Sequence, residues 1–102
     1  MAKPSNGLAP IHPGEILREE LEALGLSANA LAKSLQVPTN RVTAILNGER
    51  SVSASTALRL ARFFATSPEF WLNLQAQYDL KVALKQEAAA IARIRPRRPK
   101  AA

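Results

Sequence analysis

Apolar residues recur along this chain at helical intervals, and capping residues and breakers divide the pattern into five segments. Leu17, Leu21 and Leu24 stand at i, i+4 and i+7, with Glu15, Arg18, Glu19 and Glu22 outside them. The first helix therefore opens at Pro13, whose missing N–H costs nothing in a first turn, and stops at Gly25. Ser27 is a natural N-cap for a second helix with Leu31, Ala32 and Leu35 on its buried face. After Gln36, Val37 and Pro38, a third short helix shows Val42, Ile45 and Leu46 and ends at Asn47-Gly48, a pair suited to a left-handed C-cap. Ser53 opens a fourth helix whose apolar positions run through Leu58, Ala61 and Phe64. Ser67 caps a fifth, with Pro68 in its first position and Glu69 near its positive end. This last helix, PEFWLNLQAQYDLKVALKQEAAAIA, carries Phe70, Trp71, Leu74, Tyr78 and Val82 at helical spacing, and its alanine-rich far half must either fray or pack on something.

The join between the second and third helices is the most informative feature. In LAKSLQVPTNRVTAILNGER the apolar pattern breaks at Gln36-Val37-Pro38 and resumes at once, the layout of a helix-turn-helix unit. Ala32 sits where the following helix must pass close, Val37 plugs the turn, and Val42 and Ile45 fasten the third helix to the core. Thr39, Asn40, Arg41, Thr43, Ala44 and Asn47 are left facing outward. Such a face suits the major groove, where an Arg bridges guanine O6 and N7 and an Asn bridges adenine N6 and N7. Ser27, Asn29, backbone N–H groups at helix starts and Arg50 would then contact phosphates. The bland alternative is an ordinary corner between two helices. Gln36 occupies the turn position usually held by Gly, and a left-handed backbone there costs about 1 kcal/mol more for Gln than for Gly.

Composition narrows the classes. The 102 residues suffice for one small domain, for which a partner subunit would add buried area. The chain has no cysteine, which excludes a disulfide framework, a thiol nucleophile and a cysteine-bound metal. His12 is the sole histidine and is expected to cap or pack at the first helix rather than to ligate metal. Glu19 and Glu20 point differently on a helix and make a poor acid–base pair, so no catalytic constellation, metal site or cofactor is expected. The acidic cluster reads as a solvated face.

The formal charge is +6, yet all eight acids precede residue 92, while Arg93, Arg95, Arg97, Arg98 and Lys100 follow it. Residues 1 to 92 are thus nearly neutral, and the basic excess belongs to a proline-broken tail, residues 93–102, expected to be disordered and able to add non-specific phosphate contacts. Residues 1–12, with Pro4, Gly7 and Pro10, read as a flexible arm. There is no 18-residue apolar run, and MAKPSNGLAPIHPGE lacks the apolar core of a signal peptide, so a cytoplasmic protein without membrane attachment is expected.

Three blocks carry a family resemblance: HPGEIL (His12 to Leu17), NRVTAILNGER (Asn40 to Arg50) and TALRLARFFATSPEFWLNLQAQYDL (Thr56 to Leu80). In these the chain resembles the HigA-type antitoxins, a branch of the lambda-repressor-like (XRE) helix-turn-helix proteins. The resemblance implies an all-α, five-helix domain with an extended C-terminal helix and a homodimer bound to an operator palindrome in its own promoter. It also implies neutralisation of a RelE-like (HigB-type) ribonuclease toxin, with recognition contacts falling on Thr39, Asn40, Arg41 and Thr43. The stripe Phe70, Trp71, Leu74 and Tyr78 is a candidate for core or for joining two subunits. Gln36, Thr39 in place of a second proline, and the basic tail depart from the family pattern. The rival reading is a stand-alone transcriptional regulator without a toxin partner.

Overall fold

The computed structural model describes residues 9–97. It contains α1 (Pro13–Leu24), α2 (Ala28–Leu35), α3 (Thr39–Leu46), α4 (Ala54–Phe64) and α5 (Pro68–Ala92), and no strand among the described residues. Each boundary has a local cause. Ser27, Ser53 and Ser67 cap α2, α4 and α5 by accepting the N–H of Ala30, Thr56 and Phe70. Gly25 ends α1 in the left-handed region, and Pro38 starts α3 without a side-chain cap.

Leu17, Leu21, Leu31, Leu35, Val42, Ile45, Val52, Leu60 and Trp71 form one continuous core with Ala32 and Ala57. Ala32 is buried where the sequence requires a small residue. A closer approach lies elsewhere: a Cβ on Gly14 would overlap the Ile45 carbonyl, so α1 and α3 meet main chain to main chain. Arg18 secures the same crossing by donating Nη2–H to the Leu46 carbonyl at 3.2 Å.

Gln36 adopts φ 60° and ψ 48°, the left-handed conformation considered for the turn. The Val37 N–H returns to the Ala32 carbonyl at 3.0 Å, and Arg59 of α4 donates to the Leu35 carbonyl at 2.7 Å. The exposed end of α2 is thereby satisfied and tied to α4. Ala65 at the end of α4 is left-handed as well, with φ 57°.

Three sequence expectations need correction. Leu24 is exposed, so only Leu17 and Leu21 of the first apolar repeat reach the core. In α4 the inward face is Thr56, Ala57, Leu60 and Ala61, while Leu58 is 60% exposed, because α4 is rotated to seat against both α2 and α5. The bound of the arm shifts as well: His12 caps and packs at α1 as expected of it, so packing begins at least one residue before Pro13. Residues 1–8 of that arm and 98–102 of the basic tail lie outside the described residues.

The molecule measures 52 × 31 × 22 Å, its length set by α5. The near half of α5 packs on α4 and α1; from Leu84 to Ala92 every residue is exposed.

Candidate nucleic-acid interface

Two cooperating contacts fix the attitude of α3. On its inner side Val42 and Ile45 are buried in the core. At its start, Thr39 Oγ1 donates to Asn29 Oδ1 at 2.8 Å, joining the first turn of α3 to the first turn of α2. These two residues, both expected at the interface, are thus held together, and the Asn29 amide N–H₂ remains available to a phosphate. Ser27 spends one lone pair on the Ala30 N–H at 3.0 Å, leaving its O–H free to donate.

Outward, α3 presents Asn40 exposed and Arg41, Thr43 and Ala44 half-buried, and Asn47 is exposed just past its end. The side chains of Asn40 and Asn47 make no hydrogen bond to any described residue, so their amides are available for base edges. Thr43 Oγ1 donates back to the Asn40 carbonyl at 3.3 Å, which fixes its side-chain rotamer. Arg41 has its Nε shielded from solvent with no hydrogen-bond partner. A buried donor left unmade is costly, and a ligand acceptor would relieve it.

Beyond α3 the chain turns through Asn47, which is near the bridge region at φ −86° and ψ 1°, and Gly48 at φ 75°, so Gly48 alone takes the left-handed position. The Glu49 N–H closes the helix on the Ala44 carbonyl at 2.8 Å. Arg50 follows, exposed beside the recognition helix. Sequence reading did not find what holds this segment. The Val52 N–H donates to Gln75 Oε1 of α5 at 2.8 Å, and Gln75 in turn donates to Asp79 at 3.0 Å.

His12 caps α1 through Nδ1, which accepts the Gly14 N–H at 2.9 Å, and meets Tyr78 edge-on at 4.9 Å. Burial lowers its pKa; a hydrogen bond with the Arg50 backbone and the charges of Asp79 and Glu15 oppose this without overcoming it. The folded state therefore prefers the neutral ring. Its contribution to stability is complete above the ordinary value of 6.5 and is lost as pH falls from there through the lowered one.

The aromatic stripe on α5 divides. Trp71 is 1% exposed, packed edge-on to Phe70 and tilted against Phe64, and its indole N–H donates to Thr66 Oγ1 at 3.0 Å. Of the two roles considered for it, core or subunit contact, its burial fits the core. Phe70 is 43% exposed, and Leu74 and Tyr78 are half-buried. The large exposed apolar residues of this helix lie further on, at Leu80, Leu84 and Ile91, with Ile94 just past its end. No helix is long and apolar enough to cross a membrane among the described residues, and none of their His, Asp and Glu side chains cluster as a metal site.

A second helix with one buried face, a tight left-handed turn and a third helix with a polar outer face define a helix-turn-helix domain of lambda-repressor-like architecture. Comparison with known proteins agrees. The Helix-turn-helix family matches residues 17–71. An addiction module antidote protein of a HigA family from Coxiella burnetii superposes with a TM-score of 0.86 at 63% identity, over 88% of this chain and 100% of that one. Pseudomonas aeruginosa antitoxin HigA, solved with the higBA promoter, superposes with a TM-score of 0.83 at 45% identity, over 85% of this chain and 97% of that one. Virulence-associated protein I of Dichelobacter nodosus is 53% identical over 79 residues, covering 76% of this chain and 73% of that protein. The chain belongs to the HigA branch of the helix-turn-helix family.

Proposed function

We propose that this protein is the DNA-binding antitoxin of a toxin–antitoxin pair: a homodimer that represses its own operon at an operator palindrome and neutralises a RelE-like toxin. The observation that carries the DNA part is the outer face of α3. Asn40, Arg41, Thr43 and Asn47 supply directional donors and acceptors on a helix whose start is pinned to α2 by the Thr39–Asn29 hydrogen bond. The similarity to an antitoxin solved with its promoter supports the same use of that face. Ser27, Asn29 and Arg50 would contact phosphates around it, and exposed Arg93, Arg95 and Arg97 would add a salt-sensitive, sequence-independent term.

Two recognition helices must lie about 34 Å apart to enter successive major grooves, which a twofold dimer supplies. The apolar surface of α5 is its natural seat, with Phe70, Leu74 and Tyr78 at the near end and Leu80, Leu84 and Ile91 beyond. A protein of this kind works in the cytoplasm, at the nucleoid.

The experiment is a titration of labelled duplex from the region upstream of its own gene, paired with affinity capture of the full chain from its host in high salt. Saturable binding of two chains per palindrome, with a small basic RelE-like protein retained in stoichiometric amount, is the expected result. DNA binding without any retained partner would replace this reading by a stand-alone regulator. Absence of duplex binding would remove the repressor role.

A further inference from the structure

Residues 47–53 connect α3 to α4 without helix, and Arg50 lies in their midst. Two side chains from outside grip this loop. Gln75 accepts the Val52 N–H at 2.8 Å while its own amide donates to Asp79 at 3.0 Å, so the bond reaches the loop from a buried position on α5. His12 uses Nδ1 for the Gly14 N–H, and its ring lies beneath the loop at Gly48. Its ring rests edge-on against Tyr78, on the same turn of α5. Gly48 takes the left-handed backbone, φ 75°, that folds the loop over that ring, where a Cβ would sit in ordinary contact at 3.9 Å from His12 Cγ. Both grips therefore lead back to one stretch of α5, residues 75–79.

Any acceptor, including water, would satisfy the Val52 N–H. Drawing it from α5 makes the position of the loop follow that helix. A loop already held also loses less conformational freedom when it meets a phosphate, and the saving appears as affinity. We propose that His12 and Gln75 are positioning residues for DNA binding, latching the 47–53 loop to α5 so that Arg50 is held ready over the phosphate backbone. The helix that would join two subunits thereby also sets the height of the phosphate contact beside each recognition helix. This inference rests on the DNA-binding reading above.

The test uses the full chain and a fluorescein-labelled duplex of the DNA immediately upstream of its coding sequence, titrated at several salt concentrations. His12→Asn keeps an N-cap acceptor for α1 but removes the ring that lies beneath Gly48 and against Tyr78. Gln75→Met keeps the side-chain length and removes both hydrogen bonds. Each is expected to weaken binding on the order of tenfold and to lower the salt slope by about one phosphate contact. Neither should add fully to Arg50→Gln, because all three act through one contact.

Thermal unfolding is followed in parallel by circular dichroism. Variants that only lower Tm, with affinity and salt slope of the folded protein unchanged, would overturn the latch, and so would full additivity with Arg50→Gln. Should Gln75→Met fail to fold, the His12→Asn cycle with Arg50→Gln decides alone. A wild-type chain that binds no duplex even at low salt overturns the DNA-binding reading and the latch with it, an outcome distinct from a wild type that binds and variants that match it.

Discussion

Helices α3 and α5 pack against the same core, and their outer faces are opposite in kind. α3 has eight residues, is anchored by Val42 and Ile45, and shows solvent amides, a hydroxyl and a guanidinium. α5 has twenty-five, is anchored only through its near half, and shows solvent Leu80, Leu84 and Ile91. A polar face on a fixed backbone suits directional bonds to a partner of fixed geometry. An apolar face on a helix that has run past its own core is marginal in water until something covers it. The first is complete in one chain, and the second leaves apolar side chains in water.

The sharpest way to break this contrast is at Trp71. If the near half of α5 is core, Trp71→Ala should cost about 3–5 kcal/mol, because a large buried ring is lost and the Thr66 hydroxyl loses its donor. Urea unfolding with an unchanged denaturant slope measures it. A loss under about 1 kcal/mol would mean that α5 is as bare at its start as at its end.

Next in size is the seat of α3. Gly14→Ala places a methyl group against the Ile45 carbonyl, and main chain cannot step aside as a side chain can. The expected loss is about 3 kcal/mol, the upper range for overpacking, with operator affinity falling as α3 is displaced. Full stability in this variant, again by urea, would show that α1 and α3 are further apart than described. Arg41→Ala then separates seat from face. It should relax operator discrimination by about 2 kcal/mol while leaving Tm in place, as read by competition between operator and random duplex. Unchanged discrimination would take Arg41 out of the reading face.

What was legible in the sequence follows the same division. All five helices could be read, with the caps at Ser27, Ser53, Ser67 and Gly25, because these residues act on neighbours within a turn or so, whereas the left-handed end of α4 at Ala65 carried no such mark. The helix-turn-helix unit was legible for the same reason: Ala32, Gln36, Val37, Val42 and Ile45 are close in sequence. Spacing could not say which of Phe70 and Trp71 faces inward, since adjacent helix positions differ by about a quarter turn and the apolar pattern admits either. Nor could it rotate α4 to bury Leu60 in place of Leu58. Gly14 and Gln75 were missed because their roles depend on residues 31 and 23 positions away, the Ile45 carbonyl and the Val52 N–H. A glycine inside a helix start and a buried glutamine amid apolar neighbours were the signals available, and only the fold explains them.

The smallest effect concerns how the two helices are approached. α3 and α5 each follow a helix that ends on a left-handed residue other than glycine: Gln36 at φ 60° and Ala65 at φ 57°. Gln36→Gly should relieve about 1 kcal/mol of backbone strain and return up to about that amount as entropy of the unfolded chain. The net expectation is a gain of about 0.5 kcal/mol in the urea midpoint, with operator affinity unchanged, because the hydrogen bonds that end α2 come from the Val37 N–H and from Arg59 rather than from the Gln36 side chain. Ala65→Gly should give a similar gain. If Gln36→Gly lost stability while Ala65→Gly gained it, the Gln36 side chain would itself be supporting the turn, and the attitude of α3 would depend on a contact that α5 does without.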